Sequence, residues 1–227
     1  MMTRRSTHDE LPISYGAIGA TREATLMKYP PVGSTPSEDA VKLGSGHERF
    51  RIASSHLMTW GAQRGAGFEV RDVRAGTGNH YRGVRFDEDG HPLVVPKRDE
   101  QLFSAEGIPY ITPGIEATLA PHKSLGGDPR EVRVIYVVEE PLRIGFAYGT
   151  VDENGPVGEE LYLVEQREDD TVWAVFRGFH EVVQPLWKAP LRTAAIRAAQ
   201  ERARQQLRAL RPTQAIGATA IPRSDEQ

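Results

Sequence analysis

The chain has 227 residues, with 28 basic and 31 acidic side chains for a formal net charge of −3, and 39% of its residues are hydrophobic. That balance describes a globular protein able to bury a sizeable core, and the acidic excess argues against nucleic acid as a partner. No cysteine is present, which excludes disulfides, thiolate metal sites, iron–sulfur clusters and a cysteine nucleophile, and fits a reducing compartment.

Residues 1–26 read as an N-terminal arm without the apolar core of a signal peptide, and no apolar run reaches the length of a membrane span. The expected setting is therefore cytoplasmic, without membrane insertion. A short repeat follows: Tyr15-Gly-Ala-Ile-Gly-Ala-Thr21 returns as Tyr29-Pro-Pro-Val-Gly-Ser-Thr35. Two copies are too few for a solenoid, so the reading is a duplicated turn-plus-edge segment with one copy docked on the domain. Ser45-Gly-His-Glu48 has capping-box spacing. Behind it Phe50, Ala53, Leu57 and Trp60 recur at helical spacing, and the predicted helix runs to Gly65-Ala-Gly67. Residues 72–113 read as a long insertion or flap. It holds short strands from Tyr81 to Phe86 and from Leu93 to Pro96 around an Asp87-Glu-Asp-Gly90 turn.

From 114 to 182 the pattern is strand throughout. Gly114–Pro121, Glu131–Glu139, Leu142–Val151, Glu159–Arg167 and Thr171–Val182 are joined by short turns, which makes neighbours antiparallel. A closing helix then carries Leu191, Ala194, Ala195, Ala198, Ala199, Ala203, Leu207 and Leu210 on one face, and Pro212 stops it. From Lys188 to Arg211 seven basic residues stand against the single acid Glu201. Its arginines are expected to lie in solvent over an acidic body. The tail, 212–227, reads as disordered, leaving one domain over 27–211.

Familiar chemistry motifs fail in turn. Gly44-Ser-Gly46 lacks the third glycine of a dinucleotide loop, since Arg49 stands there, and no Walker A sequence or Gly-x-Ser-x-Gly elbow exists. The seven histidines never pair at metal-ligand spacing on a helix. No metal and no cofactor are expected.

The strand block carries a resemblance. Arg133-Val-Ile-Tyr-Val-Val138, Arg143-Ile-Gly-Phe-Ala-Tyr-Gly-Thr150, Gly158-Glu-Glu160 and Val172-Trp173 resemble a bacterial and plant family catalogued only as a domain of unknown function, number nineteen-ninety. Leu43-Gly-Ser-Gly46, Phe50, Trp60 and Tyr-Pro-Pro-Val-Gly-Ser-Thr resemble its opening, so the similarity spans about residues 27–210. The resemblance implies a fold and no activity. The order of helix, antiparallel meander and long closing helix is that of an α+β helix-grip fold. In such folds, similar to START-like carriers and polyketide cyclases, a curved antiparallel sheet wraps a C-terminal helix around a cavity.

Six residues are the candidate ligand contacts. Pairing Thr150 with Glu160 sets Tyr148 against Tyr162 and Phe146 against Val164. Pairing Gln166 with Val172 sets Tyr162 beside Phe176 and Glu160 beside Gly178. Alternation then puts Tyr148, Glu160, Tyr162 and Phe176 on one face. Arg143 shares its face with Gly145, Ala147 and Gly149, and is either buried with Glu160 as its partner or part of an exposed, curvature-favouring outer face. His180 can act as a base near neutral pH, although no carboxylate partner can be placed for it from sequence. Tyr136 offers a third phenol, and Trp173 reads as core. The expected function is binding of a small apolar or aromatic ligand between sheet and helix. A cyclase- or isomerase-type enzyme in the same cavity is the alternative, and an interaction module using the basic helix is the second. A homodimer is left open.

Overall fold

The computed structural model describes residues 13–75, 85–86, 92–93, 102–153, 155–181 and 189–212. The elements run β1 (Thr35–Ser45), α1 (His47–Leu57), α2 (Gly61–Gly65), β2 (Phe68–Ala75), β3 (Arg85–Phe86), β4 (Pro92–Leu93), β5 (Ile115–Pro121), β6 (Arg130–Glu140), β7 (Arg143–Thr150), β8 (Val157–Gln166), β9 (Thr171–Glu181) and α3 (Ala189–Ala209). Seven strands form one open antiparallel sheet in the order β1-β9-β8-β7-β6-β5-β2, and α3 packs on it in a helix-grip arrangement. The Asp87–Gly90 turn and the tail from residue 213 lie outside the described residues.

The five strands read from sequence are β5 to β9, and the structure adds β1 and β2 at the two edges. Both edges escape a pattern search because they are only part-buried. In β1 only Val41 and Leu43 are fully buried, Pro36 stands near its start, and a bulge between Lys42 and Gly44 breaks the alternation. The capping box does not form. Ser45 is still paired with Thr171 in the sheet, Gly46 takes the cap position, and Glu48 pairs with Arg51 instead. The helix also breaks earlier than expected: Trp60 adopts a left-handed backbone at φ 63° between α1 and α2. Phe50, Ala53, Leu57 and Trp60 are nonetheless all buried.

Two apolar clusters sandwich the sheet. On the concave face Leu43, Phe50, Leu57, Trp60, Phe146, Tyr162, Val164 and Phe176 meet Ala203, Leu207 and Leu210 of α3. On the outer face Ile135, Tyr136, Ala147, Leu161 and Leu163 are covered by Ile13 and Ile18. The first copy of the repeat is thus the docked one, while in the second copy Tyr29 and Val32 are exposed. Gly149 makes room for it, since a Cβ there would lie 2.1 Å from the Tyr15 hydroxyl. The outer face around Ala147 is therefore buried rather than exposed. Trp173 is half-buried on that side, with its indole nitrogen donating to Thr171 Oγ1 at 2.8 Å and Arg167 over its ring; the core reading for it does not hold.

The buried stripe of α3 is rotated from the one read from sequence. Ile196, Ala199, Ala203, Gln206, Leu207 and Leu210 face inward, whereas Leu191, Ala194 and Ala198 are exposed. Arg197, Arg204, Arg208 and Arg211 are exposed as expected, and Arg204 reaches Asp39 of β1 at 2.6 Å. Ala203→Trp is expected to overpack the concave core and cost about 1–3 kcal/mol. Ala198→Trp is expected to change stability by less than about 0.5 kcal/mol. Paired chemical-denaturation curves check both. Gly149→Ala is expected to lever Tyr15 away, so that trypsin cuts after Arg22 faster than in the parent protein.

Candidate functional site

Side chains alternate across a strand, so the even-numbered residues of β7, β8 and β9 share the concave face. The β8–β9 register pairs Gln166 with Val172, Tyr162 with Phe176 and Glu160 with Gly178, as expected. The β7–β8 register is displaced by two residues: Tyr148 pairs with Glu160, Phe146 with Tyr162 and Ile144 with Val164. The displacement fits the end of β7, where Thr150 turns its hydroxyl to the Gly158 amide at 3.0 Å instead of pairing with Glu160. A two-residue slide preserves the face of every side chain, which is why the same residues still meet.

They meet around one carboxylate. The Tyr148 and Tyr162 hydroxyls both donate to Glu160 Oε2, at 2.6 and 2.7 Å, and His180 Nε2 lies 2.8 Å from Oε1. Phe176 stands against Tyr162 with ring centroids 5.2 Å apart, and Tyr148 and Tyr162 stack at 5.8 Å. Trp60 closes the cluster, 5.1 Å from the Phe146 ring and 6.2 Å from Tyr148. The phenols and His180 are shut in, while the Glu160 side chain keeps 16% of its surface exposed.

Arg143 does not join them. It sits at the far end of β7, opposite Glu165, and its half-exposed side chain pairs with Glu140 at 3.2 Å. The Arg143–Glu160 ion pair is thereby replaced by the His180–Glu160 contact. Tyr136 also leaves the site, bonding Thr21 at 2.7 Å on the outer face beneath the Arg22 guanidinium.

Sequence reasoning missed two members. Gln63 of α2 donates through Nε2 to Gln206 Oε1 of α3 at 3.3 Å, and it lies within hydrogen-bond reach of the Tyr148 phenol. Gln206 carried a readable signal, being a polar residue on the same stripe as Ala199, Ala203 and Leu210. Gln63 carried none, because its position follows from the break at Trp60. Gln63 Oε1 and His180 Nδ1 are both buried without a hydrogen-bond partner. Among the described residues no group of three metal-binding side chains exists. An open groove of about 580 Å³ lies elsewhere, lined by Arg64, Phe68, Arg71, Pro121, His122 and Lys123 among others.

Burial pushes the Glu160 carboxyl up, but the His180 hydrogen bond and charge, helped by the two phenols, outweigh it and hold the group at about 2. Burial, and then the charge of Glu160, drive Tyr148 and Tyr162 well above the usual phenol range. A carboxyl lowered by folding stabilises the native state above its unfolded pKa, near 4.5, and loses that contribution as the pH falls through about 2. Glu160→Gln is therefore expected to cost on the order of 3 kcal/mol at pH 7. Urea unfolding of both proteins should show the gap narrowing between pH 4.5 and pH 2.

The family model described as a domain of unknown function (DUF1990) matches residues 14–93 and 122–209. The match begins ahead of residue 27 and takes in the docked Tyr15–Thr21 segment. Among curated proteins, the UPF0548 protein of Deinococcus radiodurans is 40% identical over 53 residues, which are 23% of this chain and 27% of that protein. The alignment thus spans about a quarter of that relative. Among solved structures, a hypothetical protein from Helicobacter pylori aligns at a TM-score of 0.47 and 14% identity, covering 87% of this chain and 95% of the other. Ara h 8.0201 aligns at 0.46 and 8% identity, covering 78% and 95%. With the N-terminal segment, strands β6 to β9 and the closing helix inside a match that covers most of its length, the chain belongs to the DUF1990 family.

Proposed function

We propose that the protein binds a small apolar or aromatic molecule against the concave face, with the Glu160 cluster as the polar end of the site. The observation that carries this reading is the placement of an ionised carboxylate, two phenols and an imidazole inside an otherwise apolar aromatic layer. Burying a charge in such a layer is expensive unless every member is compensated. A fold needing only a core would place apolar side chains there at lower cost. Glu160 is also the member reached by solvent, which gives a ligand an approach to the cluster. Recognition would combine contact with Tyr162, Phe176 and Trp60 and hydrogen bonding at the cluster.

An acid–base enzyme is the second reading, favoured by the His180–Glu160 contact. A carboxylate that orients an imidazole is a recurrent arrangement for a general base. Arg143, which has no place in the cluster, belongs to neither reading.

Native mass spectrometry of freshly purified protein is expected to reveal a co-purifying small molecule. Tyr148→Phe, which removes one donor to Glu160 and leaves the ring, should reduce the bound fraction at least severalfold. Retention of the same molecule at parent levels by Tyr148→Phe would move the binding surface away from this cluster.

A further inference from the structure

The hydrogen-bond inventory of the cluster says what kind of group a ligand must bring. Glu160 Oε2 already receives the protons of Tyr148 and Tyr162, and Oε1 faces His180 Nε2. A carboxylate only accepts, so whenever the imidazole is neutral its one proton sits on Nε2. His180 Nδ1 is then a bare lone pair. It is buried, on the concave side of β9, and has no partner. Gln63 Oε1 on α2 is a second unpartnered acceptor, and Ser37 Oγ of β1, paired beside Gly178 on the same face, is an unpartnered hydroxyl that can accept or donate. Each buried orphan costs desolvation free energy while unmet. The two that can only accept, His180 Nδ1 and Gln63 Oε1, want a proton.

From this geometry we infer that the site selects a ligand bearing a hydrogen-bond donor, a hydroxyl or N–H on an apolar or aromatic body, with His180 Nδ1 as its principal acceptor. The inference rests on the ligand-binding reading above and narrows it to a chemical class. An anionic group is disfavoured on two counts. It offers no proton to Nδ1 or to Gln63 Oε1, and it would stand beside the Glu160 charge in a poorly solvated place. The phenols do not change this, because both of their protons are committed to Glu160. The Gln206 acceptor, Oε1, is already met by Gln63 Nε2.

Two measurements on the full-length parent protein test the inference without a substitution in the core. The first is the tautomer: long-range proton–nitrogen correlation spectra at pH 8 should show His180 with a protonated Nε2 and a pyridine-like Nδ1. A protonated Nδ1 at that pH would overturn the inference. The second is calorimetric titration with three probes of one shape, 2-naphthol, 2-methoxynaphthalene and 2-naphthoate. Expected is tighter binding of 2-naphthol than of its methyl ether by about tenfold, the value of one buried hydrogen bond, with 2-naphthoate no tighter than the ether. Equal binding of naphthol and ether, or tightest binding of naphthoate, would overturn donor selection while leaving the ligand-binding reading intact. Failure of all three to bind would overturn both. A His180→Phe variant that retains the parent's unfolding transition should bind naphthol and ether alike.

Discussion

Everything on both faces of the central sheet depends on two consecutive carboxylates of β8 being compensated in opposite directions. Strand alternation sends Glu159 outward and Glu160 inward. Glu159 is fully buried. It accepts from the Tyr15 hydroxyl at 2.9 Å, the Gly19 amide at 2.7 Å, the Thr21 amide at 3.1 Å and the Thr21 hydroxyl. Glu160 accepts from two phenols and an imidazole. Neither charge could stay inside the protein without these donors. The outer carboxylate therefore dictates that residues 13–21 dock. The inner one dictates that three elements of the concave face keep polar side chains.

The two sites are compensated differently, and the difference has a physical cause. On the outer face the donors are backbone amides and short side chains from a single segment, and desolvation still outweighs them, raising the Glu159 carboxyl. On the concave face an imidazole contributes a hydrogen bond and, when protonated, charge, and the Glu160 carboxyl is lowered instead. Glu159 thus behaves as a latch whose ionisation opposes folding, and Glu160 as an anchor whose ionisation favours it. The latch holds a segment in place, whereas the anchor leaves part of its own surface and two neighbouring acceptors unspent.

Backbone strain sits in the same neighbourhood. Trp60 is a bulky residue in the left-handed region, a conformation costing about 1–3 kcal/mol that persists only where packing enforces it. The break it makes between α1 and α2 brings the indole down onto Phe146 and Tyr148 and sets Gln63 facing Gln206. A continuous helix, as the periodicity predicts, would do neither. Close packing of α2 on α3 completes the roof, since a Cβ on Gly65 would lie 2.8 Å from that of Ala209.

The sequence by itself determined the five-stranded meander to within one or two residues, the existence of the closing helix, and the set of side chains sharing the concave face. Those features are local or periodic: short turns force antiparallel neighbours, and parity survives a two-residue error in register. It also marked Tyr148, Glu160, Tyr162 and Phe176, because strand alternation groups them, and His180 for its acid–base chemistry near neutral pH. Tertiary structure decided the rest. The edge strands β1 and β2 form because paired neighbours complete their hydrogen bonds, not because their own patterns demand it. Which stripe of α3 is buried depends on the helix's rotation against β1 and β9, and a near-uniform run of alanines does not encode that angle. Arg143 and His180 exchanged roles for a related reason. An ion pair is fixed by distance in space, and only the assembled sheet puts an imidazole from β9, rather than a guanidinium from β7, against the carboxylate of β8.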